Sequence, residues 1–421
     1  MKTSIAVIGM ILLLVAGFAG GFYIGRITYP VPEYKGLTGE FLIPIIEATA
    51  SPHIPPVVEI LNEEVNAYLK SIGANFTIKF VYDQSEGSAD RFAAQVQEYH
   101  TAGAKVIIGS PWSSHCMAAK SYADEHHVLI FSMASSSPLL AIPDDYIFRL
   151  NTDDRYQARL LADLYKEFGI KAFVSLYVGD AWGRGLIEAL RNEIANTSIV
   201  EYYSIEYTPE TNFITEMALL NEKVSEAVEI YGKDKVAVEF IGFATVQDVP
   251  AMQQAANYPL LLEVPWITAD AIWFSIALDQ YKDYAVKVGF LAPQWASALS
   301  DNYYAFVEKY KAKTGFEPEN YAVNTYDCGW IITFCILNVQ KYDADAIKKI
   351  LPFICSRYFG ARGWTKLNEA GDLAYSNYVI GAVVDEENPH WENVGFYDSV
   401  SRTFTWFVDP KEFWPPLKRR S

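Results

Sequence analysis

The sequence predicts an α/β protein with two similar lobes, each built on a parallel sheet, behind one N-terminal membrane helix. Short apolar runs alternate with helical segments from about residue 39 onward, which is the pattern of βαβ units. The alternation runs to about residue 150 and then begins again, which predicts the two lobes. The chain has 421 residues, of which 51% are hydrophobic, and this is enough for two such cores.

The N-terminus carries a membrane-targeting segment. An uncharged run from Thr3 to Gly25 lies between Lys2 and Arg26. Its apolar part, Ile5 to Ile24, has about the 20 residues that span a bilayer. We interpret it as an uncleaved signal-anchor, and a signal peptide cleaved after small residues is the alternative. Either one sends the chain into the secretory route and leaves the rest on one side of the membrane.

The first lobe is predicted from strands and helices that follow a short linker. Its strands are short apolar or alternating runs, and its helices carry apolar residues at helical spacing, as at Val58, Leu61 and Val65. The strands are predicted at 41–46, 76–82, 106–108 and 128–131. The helices are predicted at 57–72, 91–102 and 116–126.

The same alternation of strands and helices predicts the second lobe, and a β-rich pattern predicts a different C-terminal part. The helices of this lobe are predicted at 156–168, 182–196, 213–231 and 249–256, and two further long helices at 301–314 and 325–339. The strands between them are predicted at 172–177, 200–207, 236–241 and 264–268. Three β-rich runs at 378–384, 391–397 and 404–406 then close the chain, and a basic tail follows them.

Composition and motifs exclude several classes of function. The net charge of −17 repels phosphate backbones, so nucleic acid is not an expected partner. The sequence has no nucleophile elbow, P-loop, zinc-protease motif or dinucleotide fingerprint. We therefore predict no catalytic residue, no metal site and no cofactor. For the four cysteines, buried free thiols and a pairing of Cys328 or Cys335 with Cys355 are both open.

Polar residues follow two apolar strands. Ser110 to Ser114 come after the strand that ends at Gly109, and Ser132 to Ser137 come after the strand that ends at Phe131. Ligands of open α/β sheets bind beyond the carboxyl ends of the strands. Hydroxyls and free N–H groups at helix starts suit an anionic group such as a carboxylate. The alternative is that these serines only cap the helices that follow.

Taken together, these segments resemble the type I periplasmic-type solute-binding proteins, in the branched-chain amino acid (Leu/Ile/Val) branch that serves ABC importers. The resemblance extends from about Gly39 to Trp406. It is carried by residues 107–114, 131–138, 148–150 with Asp153 and Gln157, 179–185, 266–270 and 321–327. It implies two Rossmann-like lobes joined by hinge crossovers, which capture an amino acid or related polar solute for ABC permease subunits.

The resemblance also implies roles for particular residues. Ser113 and Ser136 fall on the carboxylate-binding positions, and the backbone of Ala134 falls on a contact to the amino group. Trp182 reaches the ligand from the second lobe, and Asp270 pairs with the ligand ammonium. A buried zwitterion needs such donors at one end and a fixed negative charge at the other. The remaining candidate contacts are Ser114, beside Ser113, and His53, after the first strand.

The family exchanges segments between its lobes, which sets the expected boundaries. The first lobe is expected at 39–150 and 272–350, and the second at 151–271 and 351–407. The other expected segments are the signal-anchor at 1–27, the linker at 28–38 and the C-terminal tail at 408–421.

Two stretches depart from the family pattern. Residues 48–53 replace a glycine-rich ligand loop, and Phe243-Ala244-Thr245 replaces a second-lobe aromatic position. The solute is therefore open among amino acids, peptides, amides, polyamines and aromatic acids. A sensor ectodomain of the same fold is one alternative function. An amidase-like extracellular enzyme is another, and it needs a nucleophile activated by His53 or His115.

Overall fold

The computed structural model describes residues 37–415 apart from residues 245, 274 and 276–279. The predicted signal-anchor at 1–27, most of the linker and the end of the tail lie outside these residues. Within the described ranges, no helix is long and apolar enough to cross a membrane.

Five parallel strands form the first sheet, in the order β2-β1-β3-β4-β5. They are β1 (Gly39–Glu47), β2 (Phe76–Gln84), β3 (Val106–Gly109), β4 (Leu129–Ser132) and β5 (Ile147–Arg149). The helices that return the chain are α1 (Ile54–Ser71), α2 (Ala89–Thr101) and α3 (Ser113–His126). Every residue of β3 and β4 is buried, because both faces of a parallel sheet are covered.

The second sheet has eight strands, in the order β13-β12-β11-β10-β9-β8-β6-β7. They are β6 (Ala172–Val178), β7 (Val200–Tyr207), β8 (Val236–Ile241), β9 (Trp266–Thr268), β10 (Leu291–Trp295), β11 (Tyr378–Val384), β12 (His390–Asp398) and β13 (Thr403–Trp406). The helices of this lobe are α4 (Arg155–Glu167), α5 (Ala181–Ile194), α6 (Ile214–Tyr231), α7 (Asp248–Ala255) and α8 (Lys282–Val288). The parallel part, β6 to β10, repeats the strand order of the first sheet, and β11 to β13 add to it antiparallel.

Three further helices complete the first lobe. They are α9 (Asp301–Thr314), α10 (Asn320–Val339) and α11 (Ala344–Cys355). Helices α9 and α10 pack on α1, and α11 packs on α10. The four cysteines are buried and free, so the predicted alternative of a pairing with Cys355 is wrong.

The segment boundaries differ from the expected ones, because strand pairing is not local. Strand β10 pairs with β9 through Leu291 and Ile267, so the chain returns to the first lobe after Trp295 and not at 272. Helix α11 still belongs to the first lobe, so the last crossing lies near Asp372 and not at 351. The tail is also partly ordered, since helix α12 (Pro410–Phe413) leads to Trp414, whose ring stacks on Phe168 at 4.1 Å.

The strand order places one crevice in each lobe. Strand β1 pairs with β2 along one edge and with β3 along the other, so the chain turns in opposite directions after β1 and after β2. The same reversal occurs between β6 and β8. Such switch points leave a crevice beyond the carboxyl ends of the strands, where ligands of α/β proteins bind. The two crevices supply the two walls of the site described next.

Candidate ligand-binding cleft

Residues from both switch points line one closed cleft. The lining residues are Pro111, Trp112, Ser113, Ala134, Ser136, Trp182, Phe243, Asp270, Ala271 and Tyr321. The space that they leave is about 10 Å³, close to the least that holds one water. A solute of amino acid size therefore does not fit in this conformation of the cleft. Five of the seven predicted contacts lie here: Ser113, Ala134, Ser136, Trp182 and Asp270.

Three aromatic rings meet across the cleft. The Trp112 ring of the first lobe stacks on Phe243 of the second, with ring centroids 4.5 Å apart. Trp182 lies 4.7 Å from the same Phe243 ring. Trp112 follows β3 and Phe243 follows β8, so both occupy switch-point loops. Phe243 thus supplies an aromatic side chain where the sequence departs from the family pattern.

Ser113 ties two loops of the first lobe together. Its Oγ accepts hydrogen bonds from the backbone N–H groups of Ser136 at 3.3 Å and Ser137 at 3.1 Å. The same hydroxyl is 2.9 Å from the Ser135 hydroxyl. Ser113 is 1% exposed, so its removal would leave two buried N–H groups without an acceptor. The residue therefore supports the cleft wall, besides any contact to a ligand.

Replacing Ser113 with alanine should lower the free energy of unfolding by about 1–3 kcal/mol, the cost of leaving buried donors unsatisfied. Urea unfolding measures this loss. Ser121→Ala is the matched control, because Ser121 is an exposed residue of the same helix α3. Equal losses in the two variants would contradict the wall-supporting role.

Two buried carboxyl groups share one amide beside the cleft, where Asp270 belongs to the lining and Asp154 lies behind it. Gln157 donates from Nε2 to Asp154 Oδ1 at 3.0 Å and to Asp270 Oδ1 at 3.1 Å. Its Oε1 accepts the N–H of Asp270 at 2.8 Å. Ser136 Oγ donates to the other oxygen of Asp154 at 3.0 Å. Ser136 was expected to donate to a ligand carboxylate. In this conformation it donates to Asp154 instead, on the acidic side of the cleft.

Burial makes both carboxyl groups poor acids. It raises the pKa of Asp270 to about 6. Burial, and then the charge of Asp270, raise the pKa of Asp154 well above its ordinary value. The described hydrogen-bond partners of the two carboxyl groups, Ser136 and Gln157, are neutral. Two close carboxyl groups without a countercharge favour any cation that reaches them, so this half of the cleft suits an ammonium group.

The opposite half offers donors for an anion. Helix α3 begins at Ser113, and its N-cap residue Trp112 makes no side-chain cap. The first N–H groups of a helix lack intrahelical partners, and the helix dipole favours negative charge there. The start of α3 therefore suits a carboxylate. Ala134, predicted as a backbone contact, also lines the cleft, and its carbonyl accepts from Asn151 Nδ2 at 2.9 Å.

The other two predicted contacts do not line the cleft. His53 lies at the start of α1, where its Nδ1 is 3.3 Å from the Tyr310 hydroxyl and its Nε2 is 4.0 Å from Glu319. Ser114 interacts instead with Asp180, the N-cap of α5. The Ser114 contact joins the first lobe to the second beside the cleft.

One of the two histidines that catalysis could use, His115, is not accessible. His115 is fully buried, with its Nδ1 3.0 Å from Ser110 Oγ and 3.2 Å from Ser85 Oγ. Burial lowers its pKa to about 4. Among the described residues, no three histidine, cysteine or acidic side chains are placed to hold a metal ion.

Comparisons with known proteins agree with this architecture. The family model described as "Receptor family ligand binding region" matches residues 58–386. An uncharacterised protein of Methanocaldococcus jannaschii is 29% identical over 369 residues, which cover 83% of this chain and 86% of that protein.

Two solved structures share the fold. The leucine-binding protein LivK of Thermotoga maritima superposes with a TM-score of 0.69 at 19% identity, covering 84% of this chain and 97% of LivK. A solute-binding protein of an ABC transporter from R. palustris, in complex with benzoate, has a TM-score of 0.66 at 16% identity, covering 90% and 99% of the two chains. The chain therefore has the fold of the type I periplasmic binding proteins.

Proposed function

The chain belongs to the family of receptor ligand-binding regions, and we propose on that premise that it is an extracytoplasmic solute-binding protein of an ABC importer. Its solute is an amino acid or a related compound with an ammonium group. The observation that carries this proposal is the buried pair of Asp154 and Asp270, which no described cation neutralises. The predicted signal-anchor at 1–27 would hold the protein at the outer face of the membrane, beside its permease.

The geometry supports a closure mechanism. The ligand carboxylate binds at the start of α3, and the ligand ammonium binds between Asp154 and Asp270. Trp182 and Phe243 of the second lobe then close over the ligand against Trp112. Because ligand contacts come from both lobes, binding favours the closed state over the open one.

The same acid pair argues against a purely anionic solute. The R. palustris neighbour binds benzoate, which has no ammonium group. In this cleft, a benzoate would lie beside Asp154 and Asp270 and would leave both without a countercharge. Binding, as opposed to catalysis, is proposed because His115 is fully buried and His53 lies outside the cleft lining.

A thermal-shift panel tests the function directly. The twenty common L-amino acids and benzoate would be added at millimolar concentration to the full-length protein in detergent. We expect at least one amino acid to raise the unfolding midpoint by a few °C, because a ligand at about 100 times its Kd stabilises by about 2.7 kcal/mol. A shift with benzoate and with no amino acid would contradict the proposal.

Binding should also depend on pH. The folded-state pKa of Asp270 is about 6, and that of Asp154 is also raised, so the ligand-free pair holds protons at mildly acidic pH. An ammonium group favours the ionised pair and lowers both pKa values. We expect affinity to rise as the pH is raised from about 5 to 8, with release of protons on binding. Calorimetry in buffers of different ionisation enthalpy measures this release, and proton uptake would contradict the ammonium site.

A further inference from the structure

A second acidic group lies at the other switch-point loop of the first lobe. Glu47 ends β1 and is only 4% exposed. Its Oε2 accepts the N–H of Ala48 at 3.2 Å, but its Oε1 has no hydrogen-bond partner among the described residues. Burial, followed by the charge of Glu319, raises the pKa of Glu47 to about 8.

Glu319 is the N-cap residue of α10, and its negative charge acts on Glu47. Its side chain is 45% exposed, and Ser51 Oγ is 3.5 Å from its Oε1. His53 Nε2 lies 4.0 Å from Glu319 Oε2. No described lysine or arginine contributes to the pKa shift of Glu47 or Glu319. This pair of acids therefore also lacks a strong countercharge.

Tyr321 connects this pair to the cleft. Its ring lines the cleft and stacks on Trp295 at 5.6 Å, with 4° between the planes. Burial is the largest cause that raises the pKa of its hydroxyl. The negative charges of four residues add to it, namely Asp270, Glu319, Glu47 and Asp154. Tyr321 follows Glu319 by two residues at the start of α10, so the second acid pair adjoins the cleft lining at this ring.

We infer that the solute carries a second positive charge, which binds between Glu47 and Glu319 when the cleft is occupied. The solute class is then the basic amino acids. An ammonium or guanidinium group supplies the donor that Glu47 Oε1 lacks and makes strong charge-assisted hydrogen bonds. An aliphatic side chain would leave that buried oxygen unsatisfied. This inference rests on the proposed function and specifies its solute.

Two matched ligand pairs test the inference by calorimetry. L-lysine and L-norleucine differ in the terminal ammonium, and L-arginine and L-citrulline differ in the charge of the terminal group. We expect the basic member of at least one pair to bind at least tenfold more tightly. Glu319→Gln should remove most of that preference while it changes the affinity for the neutral member less than twofold. Glu47→Gln should act in the same way, and its unfolding midpoint without ligand checks its folding.

Glu40→Gln is the control variant, because Glu40 is an exposed residue of the same strand β1. It should keep the preference of the wild-type protein. No preference for the basic member in either pair would overturn the inference, as would a preference that survives in Glu319→Gln. If another amino acid still raises the unfolding midpoint in the thermal-shift panel, the proposed function stands without the inference. If none does, both fail.

Discussion

Replacing Asp270 with asparagine should weaken amino acid binding by about 2–5 kcal/mol, the usual cost of removing one partner of a buried charge pair. Asparagine keeps the shape, so the contacts of Asp270 with Gln157 can persist. What is lost is the negative charge that offsets the ligand ammonium in a site closed to water. Titration calorimetry with the amino acid that gives the largest thermal shift measures the loss.

Asp283→Asn is a suitable control, because Asp283 is exposed on α8 of the same lobe. It should bind as the wild type does. The ligand-free Asp270→Asn protein should be at least as stable as the wild type above pH 6. The raised pKa of Asp270 means that the wild type loses stability as the pH rises from about 4 to about 6. A stable Asp270→Asn protein with unchanged affinity would show that Asp270 does not bind the ammonium.

Replacing Arg149 with methionine should lower the free energy of unfolding by about 3–5 kcal/mol, because it leaves a buried carboxyl group without its partner. Arg149 and Asp372 are both fully buried, and Arg149 Nε is 2.5 Å from Asp372 Oδ1. Arg149 Nη1 also donates to the carbonyl of Ser137 at 2.7 Å. The ion pair joins β5 to the chain segment that returns to the second lobe.

Arg91→Met is the control for this effect. Arg91 pairs with Glu86 at 3.2 Å, but both side chains are about half exposed, at 47% and 60%, and such pairs contribute at most about 1 kcal/mol. Urea unfolding of the two variants compares them. Similar losses for Arg149→Met and Arg91→Met would contradict the view that the buried pair holds the crossover.

Local periodicity explains why most of the fold could be predicted. Helices such as α1 and α6 and strands such as β7 carry repeating apolar positions, which depend only on neighbouring residues. Strand β5 was missed because three residues show no period, and β10 because Pro293 interrupts its apolar run. The lobe boundaries were wrong because they depend on which sheet β10 joins. That pairing links Leu291 to Ile267, and no local pattern specifies it.

The cleft was predicted in part for a similar reason. Serines after strands indicate a switch-point wall, so Ser113 and Ser136 could be placed beside Ala134. The partnership of Asp154 with Asp270 could not be predicted, because the two residues come from different loops and meet only through Gln157. His53 follows β1 as a cleft residue would, but its contacts with Tyr310 and Phe316 hold it outside the lining.

We propose that the acid pair binds the ligand ammonium, which can be tested by removing that ammonium from the ligand. Calorimetry would compare the amino acid that gives the largest thermal shift with the same acid lacking its α-amino group. Because the deaminated acid lacks the ammonium that pairs with the buried carboxyl groups, we expect it to bind at least about thirtyfold more weakly, which corresponds to about 2 kcal/mol. Equal affinity for the two compounds would contradict the claim.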